Sequence, residues 1–295
     1  MQRRIAAALG ADPEDAAAVE RLAPLIVITT TGDRVQDRRL LEIGGKGMFT
    51  KEIEEALLDG RIDCAVHSLK DMPALLPDGL CIAAIPERED PRDAFLSLKA
   101  DRLEDLAPGA VLGTASLRRQ AQALHRRPDL DVRMLRGNVD TRLAKLAAGD
   151  ADAILLAFAG LKRLGLEHLP QSLIDPVECP PAPGQGALAI ETRIGDCDAP
   201  WVQAIKHGPT TVAVAAERGA LTALEGSCKT AIGAYARFDG AHLKLTVEAL
   251  SQDGAARFRH EGEADLTELA DSEASARALG LSLGEAVREA AGDAI

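Results

Sequence analysis

The sequence predicts an α/β protein built of two small α/β units, followed by a C-terminal α+β domain. Three observations carry this prediction. Strand-like apolar runs alternate with helix-like runs from about residue 25, the alternation restarts after EDPRDAF, and from about residue 208 a helix leads into three alternating runs. A chain of 295 residues exceeds the usual single domain. The pattern divides it into a first α/β domain of residues 1–87 with 187–205, a second of 91–184, and an α+β domain of 208–295.

Taken in order, MQRRIAAALG reads as a surface helix that stops near Gly10. LIVITTT, residues 25–31, reads as a buried strand. GKGMFTKEIEEALLDG is a Gly-rich loop, then a helix that Gly60 terminates. RIDCAVHSLKDMP is a strand that runs out into a polar loop at His67–Asp71, and GLCIAAIPERED is a strand ending in a turn. This alternation predicts a parallel sheet. In the second unit, AVLG (110–113) is a short strand, and TASLRRQAQALHRR is a helix whose first turn offers Thr114 and Ser116 as caps. DVRMLRG is a strand, NVDTRLAKLAAG a helix and ADAILLAFAG a long apolar strand. PVECPPAPGQGALAIETR, with four prolines and Gly-Gln-Gly before a strand-like run, crosses back to the first unit. In the last domain, TTVAVAAERGALTALEG is a helix leading to Cys228. AIGAYARFDG, AHLKLTVEALSQDG and AARFRHEGEA then alternate as an antiparallel meander, and DSEASARALGLSLGEAVREAAG closes the chain as a helix.

Composition excludes several function classes. The net charge of −12 disfavours non-specific nucleic-acid binding, and 2% aromatic residues leave few platforms for stacked bases. No apolar run approaches the roughly 20 residues of a membrane span, and no signal-peptide core is recognisable, so the expected compartment is the cytoplasm. Cys64, Cys81, Cys179, Cys197 and Cys228 are odd in number and contain no CxxC. Their spacing argues against a disulfide framework and against structural zinc. Six histidines without HExxH give no metal site. Cys64 and Cys81 lie in apolar runs and read as core; Cys179 and Cys197 lie in loops without an argued role. A lone cysteine is ordinarily a small buried hydrophobe. Cys228, in LEGSCKTAIG, stands instead on a short loop between a helix and strands.

The positive charge of this acidic chain is concentrated. Residues 118–145 hold Arg118, Arg119, Arg126, Arg127, Arg133, Arg136, Arg142 and Lys145, offset only by Asp129, Asp131 and Asp140. A solvated helix face accounts for Arg126 and Arg127. Arg118 and Arg119 lie in the first turn of a helix, where the dipole disfavours cations. Arg136 stands at the carboxyl end of a strand, the edge where open α/β sheets bind ligands. GTASLRR and LRGNVDTR therefore read as two walls of an anion site. Lys70 and Asp71 follow a strand of the first unit, and Lys46 lies in the GGKG loop. No GxxxxGK[ST] occurs, so the expected ligand carries several carboxylates, or a phosphate held without a P-loop. Asp71 is an acid among bases. It reads either as a local ion-pair partner or as a carboxylate facing a cationic centre or moving protons. His67 reads as a structural hydrogen bonder.

GGKGMFTKEIEEALLDGRIDCAVHSLKDMP, EREDPRDAF, GTASLRRQAQ, LRGNVDTRL, AGLKRLGL, PAPGQGALAIE and LEGSCKTAIGAYA resemble the porphobilinogen deaminase family from about residue 25 to the end, in the family's order. The resemblance implies two domains like those of periplasmic solute-binding proteins plus an α+β cofactor domain, with crossings near residues 87–91 and 184–187. It implies a cytoplasmic, monomeric transferase. The enzyme joins four porphobilinogen molecules head to tail, releases ammonia and delivers hydroxymethylbilane for haem synthesis. The implied cofactor is a dipyrromethane joined through a thioether to Cys228. Each pyrrole ring carries an acetate and a propionate. Ser68, Lys70, Thr114, Ser116, Arg118, Arg119, Arg136, Gly137 and Arg142 match the positions that hold cofactor or substrate carboxylates. Lys46 matches the active-site loop, and Asp71 the catalytic aspartate, which faces pyrrole N–H groups and the azafulvene cation left when ammonia departs. No metal, nucleic acid or membrane is implied.

One departure sets up an alternative. The family opens with a strand and loop of the form IRIGTRxSPLALxQA, whereas Met1 here falls where the following helix begins. The expectation is a chain without that strand. The competing functional reading is an inactive or solute-binding module of the same fold, which would need the arginines but neither Asp71 nor a reactive Cys228.

Overall fold

The computed structural model describes residues 1–30, 50–224, 231–266 and 272–295. The described residues fall into two compact units, one of 1–30, 50–88 and 187–211, the other of 89–186, 212–224, 231–266 and 272–295. Among them no helix is long and apolar enough to cross a membrane.

The first unit contains α1 (Gln2–Ala8), α2 (Ala16–Leu22), α3 (Lys51–Leu58), β1 (Ala65–Ser68) and β2 (Leu80–Ala84). α1 buries Ile5 and Ala6, and Ile5 packs with Ala83, Ala84 and Ile190. α2 is capped by the Asp15 carboxylate, which accepts from the amides of Ala17 and Ala18. α3 ends as expected before Gly60, whose φ of 69° is the left-handed conformation that glycine adopts without strain. β8 (Leu188–Arg193) returns from the second unit and inserts between β1 and β2. It pairs antiparallel with both. The expected parallel ladder is therefore absent here among the described residues, because the returning strand runs against its neighbours.

The strand expected at residues 25–31 is also not formed over its described part. Residues 24–30 join no ladder, and Leu25, Ile26 and Val27 are 68%, 56% and 84% exposed. An apolar run becomes a strand only as a member of a ladder, and the described sheets do not include residues 24–30.

In the second unit, β3 (Asp93–Ser97), β4 (Val111–Gly113), β5 (Asp131–Arg133), β6 (Ala153–Ala157) and β7 (Ser172–Leu173) form one sheet in the order β5-β4-β6-β3-β7. β4 is parallel to β5 and β6, whereas β3 is antiparallel to β6 and β7. The expected strand–helix–strand–helix–strand unit is present as the parallel strands β4, β5 and β6, and β3 and β7 add antiparallel neighbours that make the sheet mixed. α4 (Leu117–Arg126) and α5 (Val139–Ala148) connect the parallel strands. Phe95, Leu112 and Leu155 enter one core, while Ala94, Leu96, Ile154 and Leu156 enter another. Period-two side chains buried on both faces explain why AILLA reads as a continuous apolar run. Each fully buried leucine, isoleucine or phenylalanine contributes about 1.5–3 kcal/mol. Two strands are shorter than their sequence runs. DVRMLRG pairs only over Asp131–Arg133, which leaves Arg136 in the following loop, and AILLA gives way at Phe158 to α6 (Phe158–Arg163).

Two further helices, α7 (Pro200–Ile205) and α8 (Gly208–Leu224), precede the C-terminal sheet. That sheet is the expected meander: β9 (Ala231–Asp239), β10 (His242–Leu250) and β11 (Arg257–Asp265), with β10 central. α9 (Ser272–Ala291) packs on it through Ala276 and Val287.

The structure joins Cys81 and Cys197 as a disulfide, with Cα atoms 6.8 Å apart and a sequence separation of 116. Cys81 lies opposite Thr192 of β8, and Cys197 follows that strand. The β2–β8 pairing creates the proximity, which spacing along the chain does not reveal. Cys64 and Cys179 are free thiols.

Candidate functional site

Lys46 and Cys228 lie outside the described residues. The other residues singled out in the sequence divide between the units, and each group is built locally.

In the first unit, β1 ends at Ser68 and turns through a 3₁₀ segment, Leu69–Asp71. The turn is pinned from below. Leu69 and Met72 are buried, and the Leu69 amide donates to the Ala187 carbonyl at 3.1 Å. This leaves Ser68 and Lys70 half-buried and Asp71 exposed. His67 is buried on the same strand, its Nε2 2.9 Å from Glu191 Oε2. It is the structural hydrogen bonder the sequence leads one to expect. Nearby, burial pushes the Glu54 carboxyl up, a rise that the Thr50 hydrogen bond opposes and the Glu191 charge reinforces.

In the second unit, Ser116 caps α4, its hydroxyl accepting from the Arg119 amide. Thr114 is buried at the end of β4, and its Oγ1 accepts from the Ser116 amide at 3.2 Å. These two residues aim the first turn of α4 across the sheet edge. Arg118 and Arg119 are not exposed walls, however, because both are buried against Asp93 of β3. Arg118 Nη1 reaches Asp93 Oδ2 at 2.8 Å; Arg119 Nη2 and Nε reach Oδ1 at 2.7 and 3.1 Å. Gln185 Nε2 adds a further donor to Oδ1 at 2.9 Å. Burial by itself pushes the Asp93 carboxyl up; the Arg118 and Arg119 charges overcome this and hold it well below the usual carboxylate range.

One buried carboxylate does not neutralise two guanidiniums. Arg118 Nε and Arg136 Nη1 are buried nitrogens without a hydrogen-bond partner. Arg142 donates from Nε to the Gly137 carbonyl at 2.8 Å, and burial pushes its guanidinium down, with the Arg119 and Arg136 charges adding to the effect. Gly137 has φ 123°, and a Cβ there would lie 2.6 Å from the Thr141 side chain, so this turn requires glycine. Arg126 and Arg127 do more than the expected solvation of a helix face. Arg127 pairs with Asp129 and donates to the carbonyls of Leu103, Glu104 and Leu106, stapling that loop.

Sequence reasoning missed Asp93 and Gln185. Only distant pairing shows them, since Asp93 precedes Arg118 by 25 residues and Gln185 by 92. The signal available was an acid in EREDPRDAF that begins a wholly buried strand.

Like-charged guanidiniums with buried, unpartnered N–H groups on an α/β sheet edge give this unit the chemistry of a protein that binds a polycarboxylate. Two family models match the chain: "Porphobilinogen deaminase, dipyromethane cofactor binding domain" over residues 3–200 and "Porphobilinogen deaminase, C-terminal domain" over residues 211–289. The porphobilinogen deaminase of Phenylobacterium zucineum is 76% identical over 295 residues, which is 100% of this chain and 92% of that protein. The porphobilinogen deaminase of Caulobacter sp. strain K31 is 69% identical over the same shares. The chain belongs to the porphobilinogen deaminase family, and with it to the transferases of tetrapyrrole biosynthesis. Among solved structures, a nutrient binding protein from Burkholderia cenocepacia bound to methionine overlaps 52% of this chain and 73% of its own, at 16% identity and TM-score 0.39. A putative methionine-binding lipoprotein from Bacillus subtilis overlaps 52% and 72%, at 12% identity and TM-score 0.35.

Proposed function

We propose that this chain joins four porphobilinogen molecules head to tail, releasing ammonia, and delivers hydroxymethylbilane from a dipyrromethane attached through a thioether to Cys228. The observation that supports it best is the pair of buried, unpartnered guanidinium donors, Arg118 Nε and Arg136 Nη1. A buried donor without a partner costs about 1–3 kcal/mol. A ligand carboxylate would supply the missing acceptor, and a chain of acetate- and propionate-bearing rings supplies many. The residues present therefore fit the cofactor.

In the second unit, Arg118, Arg119, Arg136 and Arg142 hold ligand carboxylates. Thr114, Ser116 and the Gly137 backbone shape the same edge. When bound, the dipyrromethane supplies the pyrrole carbon to which the first porphobilinogen is joined. In the first unit, Ser68 and Lys70 hold a carboxylate, and Lys46, outside the described residues, is the counterpart of the family's active-site-loop lysine. Asp71 stands exposed at the tip of a well-anchored turn. Its carboxylate accepts from pyrrole N–H groups and offers negative charge where the departing amine leaves a cation, which lowers the barrier to that step. The enzyme acts as a cytoplasmic monomer on a small-molecule substrate, without nucleic acid, membrane or metal.

Intact mass of the purified protein beside a Cys228→Ala control tests the anchor. The expected result is an excess equal to two linked pyrrole units, absent from the control; equal bare masses would overturn it. Asp71→Ala should lower kcat by roughly 10²-fold or more while the cofactor mass is retained. Near-normal kcat in that variant would remove Asp71 from the chemistry.

A further inference from the structure

Gln122 lies on α4 one turn beyond Arg118, on the same face. Arg118 Nη1 donates to Gln122 Oε1 at 2.8 Å. Gln122 Nε2 donates to Glu248 Oε1 at 2.6 Å and to the Pro180 carbonyl at 2.9 Å. A guanidinium on one side and two acceptors on the other leave the amide one orientation. Glu248, on β10, is 1% exposed, and its second oxygen accepts from Arg257 Nε of β11 at 2.8 Å. A hydrogen-bonded line thus runs from Asp93 through Arg118, Gln122 and Glu248 to Arg257.

The Pro180 carbonyl belongs to the same junction. It accepts from Arg118 Nη1 at 3.3 Å as well as from Gln122. On its other side lies Gly233 of β9, which pairs with Glu248. A Cβ at Gly233 would come within 2.5 Å of that carbonyl oxygen. β9 is the strand that follows Cys228 in the chain. The contacts that hold Arg118 therefore also hold the sheet entered directly after the cofactor cysteine.

We propose that Gln122 and Glu248 are positioning residues. They fix the Arg118 guanidinium so that its Nε donor is left for a ligand carboxylate, and they tie that arginine to the sheet that follows Cys228. This rests on the reading of Arg118 as a carboxylate holder. Glu248 supplies the buried charge, and Gln122 transmits it as oriented hydrogen bonds. A bridge of this kind is intolerant of a sign error, because two carboxylates at the Gln122–Glu248 distance repel in a buried site.

The test is a side-chain exchange read as kcat and KM for porphobilinogen, with cofactor mass measured for each variant and Arg118→Met as a parallel control. Gln122→Glu should raise KM at least about tenfold. Gln122→Glu combined with Glu248→Gln again sets a donor opposite an acceptor at that contact and leaves the Pro180 carbonyl to Arg118 Nη1, so it should return KM to within about threefold of the parent. If Gln122→Glu fails to fold, Glu248→Gln alone, which keeps the shape, should raise KM by about threefold or more. Unchanged KM for Arg118→Met would remove the reading of Arg118, and this inference with it. A raised KM for Arg118→Met, with Gln122→Glu or Glu248→Gln altering only Tm, would overturn the positioning role alone. So would a double variant no better than Gln122→Glu.

Discussion

Asp93 is where the balance of buried charge can be measured directly. Its carboxylate is 5% exposed and receives Arg118 Nη1, Arg119 Nε, Arg119 Nη2 and Gln185 Nε2. Asp93→Asn keeps the shape but removes the charge, and turns an NH₂ group toward donors. Removing one partner of a buried ion pair costs about 3–5 kcal/mol, because the other charge stays buried without compensation. For a unit of roughly 150–250 residues, each kcal/mol moves Tm by about 2–4 °C, so the variant should melt about 6–20 °C lower at neutral pH. The pH dependence has a definite sign. The folded-state carboxyl is held below its unfolded value, so its contribution is complete above the unfolded value and is lost as pH falls. With an unfolded carboxyl near 3.9, the parent loses about 1.3 kcal/mol of its advantage by pH 3. The other acids titrate alike in both proteins, and the difference isolates this one. The assay is differential scanning calorimetry of parent and variant between pH 7 and pH 3. A Tm decrease under about 2 °C, or a gap that stays constant to pH 3, would refute the reasoning.

Two further outcomes follow from packing and burial. A Cβ at Gly280 would lie 1.9 Å from the Ala216 carbonyl oxygen, where α9 crosses α8. Gly280→Ala should therefore destabilise the C-terminal domain by about 1–3 kcal/mol or more; an unchanged denaturation midpoint would show that the helices separate without penalty. Burial raises the Glu54 carboxyl in the folded state, so ionised Glu54 opposes folding above that raised value. Glu54→Gln should increase Tm at pH 8, with the gain vanishing as the pH falls below the ordinary carboxyl value. A variant that melts lower than its parent at pH 8 contradicts this.

Much of this molecule is legible along the chain because the determinants are local. Gly60 stops α3, Ser116 caps α4, and three alternating runs separated by turns give β9, β10 and β11. The motifs that carry the family resemblance are local as well, since a loop must present its ligand groups in one contiguous stretch. Lys70 and Asp71 accordingly emerge on one turn after one strand.

Other features rest on partners far away in sequence. LIVITTT has the apolar character of a strand, but over residues 24–30 no described strand pairs with it. Strand direction in the first unit was decided by β8, which arrives from beyond the second unit and reverses the expected parallel pairing. Arg118 and Arg119 look like exposed charge in GTASLRR, yet Asp93 takes both into the interior. The sequence by itself determined most of the helices, their caps, the C-terminal meander and the cationic character of the second unit, because helix propensity, alternation and charge act over a few residues. Tertiary structure alone decided which carboxylates neutralise which guanidiniums and which donors remain for a ligand, because burial and hydrogen-bond partnership depend on residues such as Gln122 and Glu248, brought together from 126 positions apart.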